Sequence, residues 1–279
     1  MKTSVLASLA MAAALLAAVP AGALAQDKGK ISDVEHSADN ATKGHDHDDD
    51  TDGGGFFFFL LRGLVHSSRH ASSPDSTPPP ESPGQGYLAY PYAERQAPTS
   101  FVMRNVATGR GFASFSAAWF RDEESTLRSA QFAFEAAHDQ ALFTAEYSFY
   151  REPLAGGTDY LHLGHVALSG IGPIGDIGYF KIGLALQGVL TDQPRTAGGP
   201  GLDVGFQLLP GRPFGFGGSA RVAALTWKGG PLFGTGFADF MGSGSVLLGR
   251  VELQAGYRWT RIGVGSPFHG PTFGMRVWF

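Results

Sequence analysis

The sequence predicts an all-β fold: an antiparallel up-and-down transmembrane β-barrel of about ten strands, preceded by a disordered N-terminal extension. Large apolar residues alternate with small or polar ones through much of the C-terminal part, and turn-forming stretches separate the alternating runs. The 279 residues include 40 glycines and 22 phenylalanines but only 16% charged residues, which is typical of many short strands with tight turns. After residue 25, no stretch is long and apolar enough for a transmembrane helix. Any membrane crossing is therefore expected to use strands.

Residues 1–25 have the pattern of a secretory signal peptide. Lys2 precedes an apolar stretch over residues 5–19, and Ala23-Leu24-Ala25 is followed by Gln26, which predicts cleavage after Ala25. The apolar stretch is shorter than the roughly 20 residues of a spanning helix, so a retained membrane helix is the weaker alternative. The chain has no cysteine, which excludes a lipidated-cysteine anchor, disulfides and thiolate zinc sites.

Residues 26–52 form an acidic segment with nine Asp and Glu against three Lys. Such a segment buries too little apolar surface to offset the entropy of ordering, so it is expected to be disordered. Within it, His45 and His47 lie among aspartates and are weak candidates for metal binding, but a solvated spacer is the favoured interpretation. Neither a metal centre nor a cofactor is predicted. The negative charge also suits contact with a basic periplasmic partner.

Residues 53–65 contain an uninterrupted hydrophobic run. It is too short to cross a bilayer as a helix, and as a strand it would expose apolar groups on both faces. We expect an interfacial membrane anchor, because aromatic side chains favour that zone. Plugging the barrel mouth, docking on a periplasmic partner and a run without a role are the alternatives. The run consists of Phe56, Phe57, Phe58, Phe59, Leu60 and Leu61.

The Ser/Pro-rich residues 66–86 predict an extended linker, and residues 87–109 a lead-in to the folded domain. Residues 110–279 contain the alternating runs, among them SAQFAFEAAH, ALFTAEYSFYRE, YFKIGLALQG, GLDVGFQLL and VELQAGYRWTR. Gly, Ala and Ser crowd the polar face, as a narrow lumen requires. This favours a barrel whose apolar face meets lipid, with a secreted β-sandwich as the alternative.

Nine connections between runs imply ten strands, with eight or twelve as alternatives. An even number places the two ends of the barrel segment on one side. The connections HDQ, GIGPIG, PGRP and GR are then the turns on that side, and RDEES, PLAGGTD, DQPRTAGG, KGGPLFGTG and VGSPFHG face outward.

The chain ends in PTFGMRVWF, where Phe273, Met275, Val277 and Phe279 alternate with Thr272, Gly274, Arg276 and Trp278. This ending resembles the C-terminal strand of Gram-negative outer-membrane β-barrel proteins, and residues 110–279 share their general pattern. The resemblance implies that the four alternating residues are an assembly signal read by the barrel-assembly machinery. It also implies an outer-membrane location, contact with outer-membrane lipids and an N-terminal extension in the periplasm. No nucleic-acid partner is predicted.

Nine charged residues are predicted to point into the lumen. A confined charge is costly unless paired, so a salt-bridged network is favoured over a solute-selective pore. A barrel of eight to ten strands is just wide enough to be filled by its own side chains. The predicted function is a structural or surface-interaction role, with a narrow pore for small solutes as the alternative. The nine residues are Glu135, Glu146, Lys181, Asp203, Arg221, Asp239, Glu252, Arg258 and Arg276.

Polar residues near the outer ends of the strands are the candidates for a membrane enzyme of the outer leaflet. His162 and His165 are three apart and face opposite sides of a strand. No arrangement of nucleophile, base and orienting acid is recognisable, so the chain is predicted not to be an enzyme. The candidates considered are Asp159, His162, His165, Ser266 and His269.

Overall fold

Ten antiparallel strands close into one barrel in the computed structural model, which describes residues 29–43, 112–138, 140–174, 177–192 and 195–279. Each strand pairs with its neighbours in sequence, and the first strand pairs with the tenth. The predicted fold class is confirmed. The strands are β1 (Phe112–Arg121), β2 (Arg128–His138), β3 (Ala141–Leu154), β4 (Gly157–Ile174), β5 (Gly178–Thr191), β6 (Thr196–Gly211), β7 (Phe214–Trp227), β8 (Thr235–Leu248), β9 (Val251–Ile262) and β10 (Phe268–Trp278).

Several predictions fall outside the described residues. They concern the signal peptide, His45 and His47, the hydrophobic run from Phe56 to Leu61, the linker of residues 66–86 and the lead-in of residues 87–109. Helix α1 (Lys30–Lys43) is the described part of the N-terminal extension. No helix among the described residues is long and apolar enough to cross a membrane.

The outer surface of the barrel is apolar. Phe132 and Phe134 of β2 are 43% and 42% exposed, whereas the side chain of the next residue, Glu135, faces the lumen and is only 12% exposed. Leu168 and Leu186, on adjacent strands, are 64% and 66% exposed. A protein surface of this kind requires a hydrocarbon environment, because water would leave so many large apolar side chains uncompensated.

The two ends of the barrel differ in their connections. One end, here called the base, carries Phe112, Phe279 and the four turns β2–β3, β4–β5, β6–β7 and β8–β9. The other end, here called the mouth, carries the remaining five connections. Four of these are shorter than predicted, and two change most: the strands extend through most of PLAGGTD, leaving Ala155–Gly156 as the turn, and only residues 192–195 join β5 to β6. The strands continue because their backbone groups keep pairing beyond the apolar belt.

Helix α1 corrects the prediction that residues 26–52 are disordered throughout. Ile31, Val34 and Ala38 lie on one helix face, and all three are buried. They belong to an apolar cluster with lumen-facing residues at the mouth, including Tyr150 and Trp227. The acidic composition hid this helix, because three apolar side chains stabilise it only when the barrel supplies the other half of the core.

Candidate functional site

The lumen contains one continuous ion-pair network in which all nine predicted charges take part. In its mouth-side half, Arg221 Nη2 lies 2.6 Å from Glu146 Oε2, and Arg258 Nε lies 2.7 Å from Asp239 Oδ1. Arg258 also contacts Glu146 at 3.3 Å, so the two arginines share that carboxylate. Arg258 is 2% exposed. Burial of these charges is tolerable because each has at least one partner of opposite sign.

The same network extends to the base. Arg221 Nε lies 3.5 Å from Asp203, which lies 3.0 Å from Lys181 Nζ. Lys181 also contacts Glu135 at 3.4 Å, and Arg276 lies between Glu135 at 3.6 Å and Glu252 at 3.9 Å. Five carboxylates and four cations are thus joined without a break. They cross-link strands that lie far apart in sequence.

Aromatic side chains close the base beneath this network. The Phe112 ring lies 5.6 Å from the Trp278 ring and 6.5 Å from the Tyr179 ring, measured between centroids. Trp278 is fully buried, and its indole N–H donates to Glu252 at 3.0 Å. We call this cluster the floor: Phe112, Ala137, Leu142, Ile171, Tyr179 and Trp278. It closes the base with residues of the strands themselves.

Between floor and mouth the network leaves a cavity of about 90 Å³, lined in part by Glu135, Lys181 and Arg276. This volume has room for a few water molecules. Arg276 Nε and the Thr144 hydroxyl are buried there without a hydrogen-bond partner among the described residues. The lumen is therefore polar and nearly full.

The N-terminus of α1 covers the mouth. The backbone N–H groups of Lys30 and Ile31 donate to the two carboxylate oxygens of Glu152 at 3.1 and 2.9 Å. Glu152 is fully buried and comes from β3, so a barrel residue provides the cap that helices commonly draw from their own sequence. A carboxylate at a helix N-terminus is also favoured by the helix dipole.

The Lys30 side chain enters an acidic pocket at the mouth. Its ammonium lies 3.0 Å from both Asp122 Oδ2 and Glu124 Oε2, and it donates to the Pro267 carbonyl at 2.9 Å. The hydrogen bond and charge of Lys30, with a smaller effect of His269, hold the pKa of Glu124 below its ordinary value. The Glu124 side chain is 62% exposed and that of Asp122 is 0% exposed, so the contact with Asp122 contributes more.

Further contacts join α1 to other parts of the mouth. The Ser32 hydroxyl donates to Asp159 at 3.1 Å, and the Ser266 hydroxyl donates to Asp33 at 3.0 Å. Arg195 forms an ion pair with Asp39 near the other end of the helix. None of Lys30, Asp33, Asp122 and Glu152 was predicted as a site residue. The spacing of Ile31, Val34 and Ala38 was the sequence signal that could have identified the helix.

The five residues considered as candidates for an enzyme site do not come together in the structure. Asp159 and Ser266 bind α1, as described above. His162 lies on the outer face, where its Nδ1 is 2.6 Å from the Tyr147 hydroxyl, and His165 is buried in the lumen, as their spacing predicted. His269 Nδ1 lies 2.8 Å from the Tyr257 hydroxyl, which donates to Glu123 at 3.1 Å. Among the described residues, no group of three or more His, Asp or Glu side chains could hold a metal ion.

Comparison with solved structures finds outer-membrane barrels. OmpT of Vibrio cholerae is 9% identical with a TM-score of 0.33, and the match covers 56% of this chain and 57% of that one. Neisserial surface protein A (NspA) is 13% identical with a TM-score of 0.31, covering 61% of this chain and 96% of that one. An OmpT variant lacking loop L8 is 10% identical with a TM-score of 0.33, covering 69% and 71%. The chain thus spans little more than half the length of the first of these.

No family model matches the chain, and no curated protein matches it. The closed ten-stranded barrel and its apolar outer surface identify an outer-membrane β-barrel protein. One prediction needs correction here. The chain was expected not to be an enzyme, but its similarity to OmpT at 9% identity leaves its enzyme status open.

Proposed function

We propose that this protein is a closed outer-membrane barrel with a structural or surface-interaction role. The observation that carries the proposal is the filling of the lumen in three layers: α1 and its apolar cluster at the mouth, nine paired charges in the middle and the floor at the base. A barrel built to pass solutes would keep a continuous open path. Here the charges pair with one another.

The orientation follows from the connections. Outer-membrane barrels have short periplasmic turns and longer external loops, and the seven-residue connection 228–234 and the six-residue connection 122–127 both lie at the mouth. The mouth then faces outward, which places α1 at the cell surface and Phe112, where β1 begins, on the opposite side of the membrane. For residues 30–43, this proposal differs from the prediction that the N-terminal extension is periplasmic. Helix α1 and the external loops form the surface available to partners.

Conductance tests the closed lumen. Purified full-length protein in a planar bilayer is expected to show no single-channel steps, whereas steady steps in the unmodified protein would overturn the proposal. Such steps would favour the second candidate, a narrow pore for small solutes. The observation that favours this candidate is the 90 Å³ cavity with charged walls and unpartnered polar atoms.

Cysteine labelling tests the orientation, since the chain has no cysteine of its own. Leu232 in the β7–β8 connection is 79% exposed at the mouth, and Ile177 in the β4–β5 turn is 42% exposed at the base. A membrane-impermeant maleimide is expected to label Leu232→Cys in intact cells but Ile177→Cys only after permeabilisation. The opposite result would invert the barrel and put α1 in the periplasm.

Two partner proposals accompany this function. The apolar belt binds outer-membrane lipids, and the alternating residues Phe273, Met275, Val277 and Phe279 act as the assembly signal. Phe273 and Phe279 are each 54% exposed, and Phe279 donates its backbone N–H to Ala113 at the closing seam. Deleting Phe279 is expected to reduce the heat-modifiable barrel recovered from membranes. Equal recovery of the barrel with and without Phe279 would contradict the assignment of these residues as an assembly signal.

A further inference from the structure

We propose that the mouth is a binding site for a lysine-bearing amphipathic helix, and that α1 occupies it as a removable occupant supplied by the same chain. This inference rests on the proposed closed barrel and identifies what its mouth recognises. The ligand class is a polypeptide helix whose first residue carries a primary ammonium group and whose one face is apolar.

The acidic pocket is built for a cation. The Asp122 side chain has no solvent exposure, and its oxygens also accept the backbone N–H groups of His269 at 2.8 Å and Glu124 at 3.2 Å. These N–H groups hold the carboxylate in place but do not neutralise it. Lys30 is the only cationic partner of Asp122 recorded within the described residues. Without an ammonium there, the mouth would hold a buried and uncompensated charge, which is costly.

Glu152 recognises the beginning of a helix. It is fully buried, and both its oxygens accept backbone N–H groups of α1. Its contacts with the helix therefore depend on the position of the backbone and not on the side chains at these two positions. In the described residues, no cationic side chain pairs with Glu152. The first N–H groups of a helix have no partner within the helix, so a helix N-terminus can satisfy both oxygens in this way. Asp122 and Glu152 together specify a helix that begins with a cationic residue.

An apolar seat completes the site. Ile31, Val34 and Ala38 are at most 1% exposed and join the cluster containing Phe120, Tyr150, Leu161, Leu225, Trp227, Phe237 and Phe268. The cluster is contributed by strands all around the mouth. A ligand therefore needs apolar residues one, four and eight positions after its lysine, which is the spacing in α1.

The attachment of α1 makes exchange physically reasonable. Helix α1 pairs with no strand, and its contacts with the barrel are made through side chains and helix-end groups. Residues 44–111 separate it from β1. A helix of this length is marginal on its own, so leaving the mouth and losing helical structure go together. The barrel keeps every strand pair when α1 leaves.

A disulfide lock tests the site. An ideal Cβ on Gly265 would lie 3.4 Å from the Asp33 Cβ, close to the separation in disulfides. Full-length protein carrying Asp33→Cys and Gly265→Cys holds α1 in the mouth when oxidised and releases it when reduced. The ligand is a fluorescent peptide of residues 26–43, and its binding is followed by anisotropy. The two single-cysteine variants, treated with the same oxidant, are the controls.

The proposal expects the reduced protein to bind the peptide and the oxidised protein to bind it at least about tenfold more weakly, because the locked helix fills the site. The Lys30→Met peptide is expected to bind the reduced protein at least about tenfold more weakly than the unmodified peptide. Equal binding by oxidised and reduced protein would overturn the proposal, as would equal binding of the two peptides. Neither result would affect the proposed closed lumen, which is tested separately by the absence of conductance.

Thiol accessibility tests the removal of α1 from the mouth separately from peptide binding. Ala38 of α1 and Ala167 of the β4 lumen face are 1% and 2% exposed, so Ala38→Cys and Ala167→Cys form a matched pair of buried positions. Removal of α1 exposes position 38 but not position 167. The proposal expects Ala38→Cys to react with maleimide at least about tenfold faster, since local opening frees only α1. Equal rates would overturn the removable occupant; faster labelling without peptide binding by the reduced double variant would overturn the binding site.

Discussion

The mouth and the floor close the same barrel by different means. The floor consists of strand residues such as Phe112, Tyr179 and Trp278, whose rings pack between strand ends. The mouth is covered by α1, a separate segment held by the carboxylates of Asp122 and Glu152. Opening the floor requires the strands to move, whereas opening the mouth requires only that α1 leave. Both ends of the lumen are closed, but the closure at the mouth is expected to be less stable than the closure at the base.

The largest expected effect on stability comes from the charge network, which lies between the mouth and the floor. Arg258→Met removes the cation shared by Glu146 and Asp239 and is expected to lower the free energy of unfolding by about 3–5 kcal/mol. Urea titration in liposomes measures this. Arg261→Met, at an exposed position of the same strand, is the control and should change it by less than about 0.5 kcal/mol. Equal effects of the two variants would show that the network contributes no stability.

The floor can be tested with a ring-preserving change. Trp278→Phe removes the N–H that donates to Glu252 and is expected to cost about 1–3 kcal/mol in unfolding free energy. Conductance should remain absent, because α1 still covers the mouth. Trp259→Phe on the same barrel is the control for a general loss of indole. Channel steps in Trp278→Phe would mean that the mouth is open in the unmodified protein.

The mouth responds to a different change. Lys30→Met leaves Asp122 without its ammonium, and α1 is expected to detach while the unfolding free energy of the barrel changes by less than about 1 kcal/mol. A nitroxide on His36→Cys, an exposed position of α1, reports detachment as increased mobility. Lys228→Met, at an exposed lysine of the β7–β8 connection, should leave the spectrum unchanged. An immobile nitroxide in Lys30→Met would mean that the apolar seat alone holds the helix.

Acid should loosen the mouth by a smaller amount. Lys30 keeps the pKa of Glu124 below its ordinary value of 4.5, so their contact stabilises docked α1 above about pH 4.5. This contribution is lost as the pH falls through the lower, folded-state pKa. The effect is small because Glu124 is mostly exposed. Nitroxide mobility should rise in acid, and Glu124→Gln should remove part of that rise. An identical acid response in Glu124→Gln would assign it to other carboxyls.

The barrel was predictable because its signals are local and repeated. Alternation, small lumen residues and turn composition each report on a few neighbouring positions, and together they determined the strand number and the outward face of Phe132 and Phe134. The lumen direction of the nine charges follows from the same period. Which charge pairs with which was not predictable, because Arg221 and Glu146 meet only through the curvature and register of the closed barrel.

The mouth was not predictable because its parts are separated by long stretches of sequence. Lys30, Asp122 and Glu152 look like ordinary solvated charges until the barrel brings them together. The acidic composition around α1 also indicated disorder, and the three apolar residues of the helix are too few to outweigh it. Composition averages over a segment, whereas docking depends on a single face.

The lumen network has a consequence for how the barrel assembles. Its nine charges come from eight of the ten strands, and Arg276 of β10 contacts Glu135 of β2 across the closing seam. A partly formed sheet holds these side chains unpaired, so they favour water until the last strands join. Closure then neutralises many of them at once. Assembly should therefore be all-or-none at its final step, with few long-lived half-barrels, and slow because its decisive contacts join distant parts of the chain.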